Sequence, residues 1–176
     1  MRRGSATLHL SPLHLALWTK PKMNLRNINA ADLEECAQLY AAVFSAEPWS
    51  EAWSPETALA RLSHFYRSAG FAGVLAEQDG IIGFALGNSE PFYFGTLFYL
   101  REMCVHNAHQ SQGVGSKVYL TLEEQLKSSF IRGIYLATER AIPAAQFYLG
   151  KGFGCSESMG FYSKQLSHNQ AKHSDR

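Results

Sequence analysis

Cysteine is scarce in this sequence, and no two cysteines stand close together. Cys36, Cys104 and Cys155 are odd in number and widely spaced, so neither a disulfide framework nor a metal site of paired cysteines follows. No metal is expected, and a reducing cytoplasm is the simplest setting. An excess of one charge is also missing. Lys and Arg number 16 against 15 Asp and Glu, a net charge of +1, and the basic residues are scattered. That excludes a nucleic-acid binder working by bulk electrostatics. No apolar run approaches the roughly 20 residues that a bilayer-spanning helix needs, so no membrane partner is expected. Internal repeats and linkers are absent too. The 176 residues therefore suit one domain with a sizeable core.

What is present is ordinary globular composition, 46% hydrophobic and 12% aromatic, in a clear order. Arg2 and Arg3 precede a mildly apolar run from Leu8 to Trp18. His9, Pro12 and His14 interrupt it, and no small-residue cleavage site follows. Residues 1–22 are read as a poorly ordered extension, 23–166 as the domain and 167–176 as a polar tail. A short strand is expected over 23–28. Asn29 caps a helix over 30–44 with Asp32 at its third position. Ser54 and Pro55 start a second helix that Gly70 ends. Strands over 71–77 and 81–87 flank an Asp79-Gly80 hairpin turn. A loop with Pro91 leads to a long strand over 97–105. A helix over 113–127, a strand over 134–137, a helix over 143–149 and one or two strands within 153–165 complete the chain. The fold class is α+β, with a mixed, mostly antiparallel sheet flanked by helices.

Between the long strand and the helix after it lies Gln110-Ser111-Gln112-Gly113-Val114-Gly115, followed by Ser116. A strand, a glycine turn and a helix N-terminus make an anion site, because unpaired N–H groups point outward and the helix dipole favours negative charge. A Walker loop requires Gly-Lys-Ser/Thr, but the order here is Gly115-Ser116-Lys117. A dinucleotide loop requires a third small residue where Val118 stands. Both patterns fail.

Gln-x-x-Gly-x-Gly resembles the pyrophosphate loop of the GNAT superfamily of acetyltransferases. A second segment, Ala144-Ala145-Gln146-Phe147-Tyr148-Leu149-Gly150-Lys151-Gly152-Phe153, resembles the later family motif Ala-x-x-Phe-Tyr-x-x-x-Gly-Phe. The resemblance covers about 23–165 and implies splayed central strands. It implies acetyl-CoA as cofactor, with coenzyme A as product, and the pyrophosphate on residues 110–116. The pantetheine arm would lie along Met103, Cys104 and Val105, with Met103 and Val105 bonding it through their backbone. Tyr148 becomes the acid that protonates the departing thiolate. The chain departs from the family at Ala141, where many members carry an asparagine that holds the pantetheine.

The strand over 97–105 is apolar except for charges at Arg101 and Glu102. An unpaired buried charge is costly, so each requires a reason. An ammonium must lose its proton before it attacks, and a partly buried carboxylate suits that task. Glu102 is the candidate base; an ion pair with Arg101 or across strands is the other reading. Cys104 has no base arranged around it and is not expected to carry an acyl group. Glu47, Trp49, Glu51 and Trp53 lie between the first two helices, where acidic and aromatic groups suit a cationic amine. Tyr93 belongs to a second aromatic cluster, and loop packing onto the core is the plainer reading of both. The expected function is acetyl transfer to a primary amine of a small molecule, aminoglycoside- or polyamine-like, by direct attack. Pro48-Trp49-Ser50-Glu51 resembles a segment of ribosomal-protein alanine acetyltransferases and keeps a peptide N-terminus open as acceptor. A non-catalytic acyl-CoA-binding module is the remaining alternative, and assembly as a homodimer is left open.

Overall fold

The structure is a computed structural model and describes residues 22–166. The expected extension and the polar tail lie outside the described residues, apart from Lys22. The chain divides after Leu136 into two compact units.

In the first unit, strand β1 (Asn24–Asn27) leads through a single 3-10 turn into helix α1 (Leu33–Phe44). The Asn29 side chain accepts from the Ala31 amide, and the Asp32 carboxylate accepts from the Asn29 amide at 2.8 Å. The capping box is therefore the expected one, with its first turn wound as 3-10. Helix α2 (Pro55–Arg67) starts at the Ser54 cap. Strands β2 (Phe71–Glu77), β3 (Ile81–Phe92) and β4 (Gly95–Val105) form an antiparallel meander. Helix α3 (Val114–Ser128) crosses over to β5 (Gly133–Tyr135), which is parallel to β4. The sheet order is β1-β2-β3-β4-β5.

Strand β3 runs on through Pro91, where a loop is expected from the sequence. Its pairing with β2 stops at Asn88, and Pro91 pairs only with Thr96 of β4. Its missing N–H therefore costs no ladder bond on the β2 side.

Helices α1 and α2 cover one face of the sheet. Cys36, Tyr40, Val43, Ala58, Leu62 and Phe65 join Leu75, Phe84, Leu86 and Cys104 in one buried cluster. Helix α3 packs against β2, β3 and β4 through its own buried stripe of Val118, Leu122 and Leu126, outside that cluster and so on the opposite face.

The second unit holds helix α4 (Pro143–Leu149). Residues 153–166 contain no strand, contrary to the sequence expectation. Met159, Phe161 and Tyr162 are 75%, 86% and 92% exposed. Those side chains are left unburied, and a strand gains little without a partner or a face to cover.

Candidate active site

A β-bulge organises the middle of β4. Leu86 pairs with Glu102, but Gly87 pairs with Leu100, so Arg101 is the extra residue. Neighbouring residues of β3 face opposite sides of the sheet, so Leu100 and Glu102 do too. Leu100 joins the α3 side, whereas Glu102 joins the α1–α2 side beside Leu86. Arg101 also reaches the α2 side, with its guanidinium 3.8 Å from the Tyr99 ring centroid and 5.6 Å from that of Phe65. Two consecutive charges thus occupy one face, which a regular strand forbids.

Glu102 is 6% exposed. Its partner is neither Arg101 nor a cross-strand residue. Arg61 of α2 donates from Nε to Glu102 Oε1 at 2.6 Å, while Arg101 pairs with Glu90 at 2.8 Å. Tyr40 of α1 also donates its hydroxyl to Glu102. Burial pushes the Glu102 carboxyl above its ordinary range, and Arg61 and Tyr40 only partly oppose that. Burial pushes the Tyr40 hydroxyl up as well, helped by the Glu102 charge. Tyr40 and Arg61 are not singled out from sequence. For Arg61 a signal exists: it shares helical spacing with Ala58, Leu62 and Phe65, a cation on the border of a buried stripe.

The same strand offers a free edge. The His106 amide donates to Ile82 at 2.9 Å. Antiparallel pairs alternate, so Cys104 and Glu102 spend their backbone groups on β3. Met103 and Val105 present theirs to the other edge. Parallel pairing with β5 ends at Tyr99 and Tyr135. Beyond it, among the described residues, that edge of β4 has no strand partner. β5 itself ends there, so β4 runs on alone from Leu100 to Val105 on that side.

The glycine turn follows directly. Gln110 donates its side-chain amide to the Val105 carbonyl at 3.0 Å and to Asn107 at 2.9 Å. Gln112 does the same to the Ala108 carbonyl at 2.7 Å. Ser111 and Gly113 take positive φ, 58° and 81°. A Cβ at Gly113 would meet nothing within 4 Å, so the backbone there is open to a ligand. No side chain caps α3. The amides of Val114, Gly115 and Ser116 in its first turn are therefore left for an anion.

Trp53 packs edge-on against Tyr40 and lies 5.6 Å from the Arg61 guanidinium. Trp49 packs edge-on against Phe44. Glu47 is exposed. Tyr93 is fully exposed at the tip of the β3–β4 hairpin. It lies beyond the Phe92–Gly95 pair, and so about 20 Å along the strands from Glu102 at the usual rise; the structure does not bring the two together. Cys104 is buried, and burial holds its thiol well above the ordinary range, so no thiolate is ready there. In the second unit, Tyr148 is half-buried on α4 and packs edge-on against Phe147 and Phe153. Ala141 is exposed just ahead of that helix.

Known proteins share the family and the fold of this chain. The model of the acetyltransferase (GNAT) family matches residues 33–154. The chain belongs to that family and is by class an N-acetyltransferase. No curated protein matches it in sequence. Among solved structures, aminoglycoside N-acetyltransferase AAC(6')-Iy in complex with CoA is 20% identical, with a TM-score of 0.67 over 89% of this chain and 100% of that one. AAC(6')-Iy with a bisubstrate analogue, CoA-S-monomethyl-acetylneamine, is 20% identical with a TM-score of 0.65, over 82% and 99% of the two chains. A ribosomal-protein-alanine N-acetyltransferase from Brucella melitensis biovar Abortus 2308 is 16% identical with a TM-score of 0.62, over 82% and 99%. Likeness at these identities establishes the shared fold.

Proposed function

We propose that the protein transfers an acetyl group from acetyl-CoA to a primary amine of a small molecule, by direct attack and with Glu102 as base. One observation carries the reading: a buried carboxylate lies on the same stretch of β4 whose outer edge is free and leads into an uncapped helix N-terminus.

The residues present fit coenzyme A. The amides of Met103 and Val105 would hold an extended pantetheine as another strand would. The backbone from Gln110 to Ser116 would hold the pyrophosphate. Acetyl-CoA supplies the activated acyl group as a thioester. Glu102 accepts the proton that the incoming ammonium must lose, directly or through a water. The Met103 amide is placed to polarise a carbonyl oxygen at the free edge. In this reading Tyr148 donates its phenolic proton to the departing sulfur, since a phenol of ordinary pKa about 10 is protonated at neutral pH. Cys104 remains a neutral packing residue, which favours direct transfer over an acyl-enzyme.

In this reading Trp53, which packs on Tyr40 and on the Arg61 guanidinium beside Glu102, would receive the acceptor, with Trp49, Glu47 and Tyr93 as further candidates. The guanidinium against Trp53 supports a cationic acceptor. Release of free CoA thiol, measured over a panel of aminoglycosides, polyamines and a peptide with N-terminal alanine, tests the reading. Release with a small amine is expected. Release with the peptide alone would replace the acceptor, and stabilisation by acetyl-CoA with no release would leave a binding module.

A further inference from the structure

The carboxylate that should receive the substrate's charge already holds a cation. Arg61 donates to Glu102 at 2.6 Å, and its guanidinium carbon stands 5.6 Å from the Trp53 centroid and 5.0 Å from the Phe65 centroid. Trp53 is itself fixed, edge-on to Tyr40 and donating its indole N–H to Glu51. Floor and walls therefore form a seat for one positive charge: a carboxylate below and aromatic faces at the sides. The two partners are unequal. The Glu102 side chain is 6% exposed, whereas that of Arg61 is 42% exposed. Arg61 can swing into water at little solvation cost, but Glu102 cannot follow it.

We propose that Arg61 is a resident stand-in for the acceptor's ammonium, and that an amine reaches Glu102 by displacing it. The inference rests on Glu102 being the base that faces the acceptor. It makes Arg61 a specificity-determining residue. A neutral nucleophile brings nothing to replace the guanidinium and would leave a buried carboxylate unpaired. A protonated primary amine replaces it charge for charge, then passes its proton to the carboxylate that has seated it. Competition with a tethered cation also weakens apparent affinity, by the fraction of time the seat is free.

The test is equilibrium dialysis of labelled spermidine against the full chain without acetyl-CoA. It is run near pH 8.5, where the amine is still charged. Arg61→Gln should bind spermidine about tenfold more tightly than the parent, as expected if the seat is free about a tenth of the time. Arg61→Lys, which keeps the charge but loses the planar stack, should fall between them. It also serves if Arg61→Gln fails to fold, as judged by thermal melting. Glu102→Gln should lose spermidine binding. Unchanged or weaker binding in a folded Arg61 variant, or no binding by any variant, overturns the proposal. CoA release is scored separately. Tightened binding with no CoA release would remove the acetyl-transfer reading and keep the seat. CoA release without tightening would do the reverse.

Discussion

Arg61 on α2 and Glu102 on β4 form an ion pair 2.6 Å long in which the carboxylate is buried and the cation is half in water. Removing the carboxylate's charge tests the base directly. Glu102→Gln keeps the shape and should lower kcat about a hundredfold or more, the usual contribution of a positioned general base. Acetyl-CoA binding should be nearly unchanged, because the Met103 and Val105 amides are backbone groups. The parent enzyme should lose activity as pH falls through a carboxyl pKa above the ordinary range, since burial raises it. A pH–rate profile of kcat/KM measures both, and an acid limb at an ordinary glutamate value would remove Glu102 as base.

A second carboxylate is shifted the other way. The Arg26 guanidinium grips Asp32 with two bonds of 2.8 Å and holds its carboxyl below 3.8, its ordinary value. Such a group contributes stability that is complete above its unfolded pKa and lost as pH falls through the folded one. The fold should therefore keep the contribution of Asp32 down to about pH 4 and lose it below. Arg26 is about one-third exposed, so Arg26→Gln should cost only about 1 kcal/mol at neutral pH. Urea melts at neutral pH and near pH 3 should show the difference between parent and variant shrinking in acid.

Gly87 is the residue across from the bulge. A Cβ there would come within 2.0 Å of the Tyr99 carbonyl oxygen, which is backbone and cannot move aside alone. Gly87→Ala should destabilise the protein by about 3 kcal/mol, the upper range for overpacking. Because the bulge sets which way Glu102 faces, any folded fraction should also lose turnover. A thermal melt close to the parent's would show that β3 and β4 can part at this point without cost.

Most of the fold was legible because its signals are local. Asn29 with Asp32 and Ser54 with Pro55 announce helix starts, and Asp79 announces a hairpin. The glycine turn was legible as a turn into an uncapped helix start, since it is one local run of backbone from Gln110 to Ser116. The interior of the site was not. Period-two alternation alone puts Leu100 and Glu102 on the same face, and only the register with Gly87 and Leu86 reveals the bulge that separates them. Glu102's true partner lies 41 positions away on α2, beyond any local pattern. Asn88 was missed for the same reason: its buried amide donates to the Phe65 carbonyl at 3.1 Å and tethers the end of α2 to β3. The one or two strands expected within 153–165 do not form, and Met159, Phe161 and Tyr162 are left exposed there.

Tyr148 supplies the last test, because the proposal gives it a role in chemistry and none in cofactor binding. On α4 its ring packs between those of Phe147 and Phe153, and phenylalanine preserves that packing. In the proposed role, loss of the hydroxyl removes the proton donor for the leaving sulfur. Tyr148→Phe should slow kcat roughly a hundredfold, at the low end for a general acid. The dissociation constant for acetyl-CoA, measured by calorimetry, should stay within about twofold, since no binding energy is assigned to the hydroxyl. A thiol that is less basic needs less help in leaving, so a thioester with an electron-poor leaving group should recover much of the lost rate in the variant. Equal turnover in variant and parent would take Tyr148 out of the mechanism and leave water as the source of the proton.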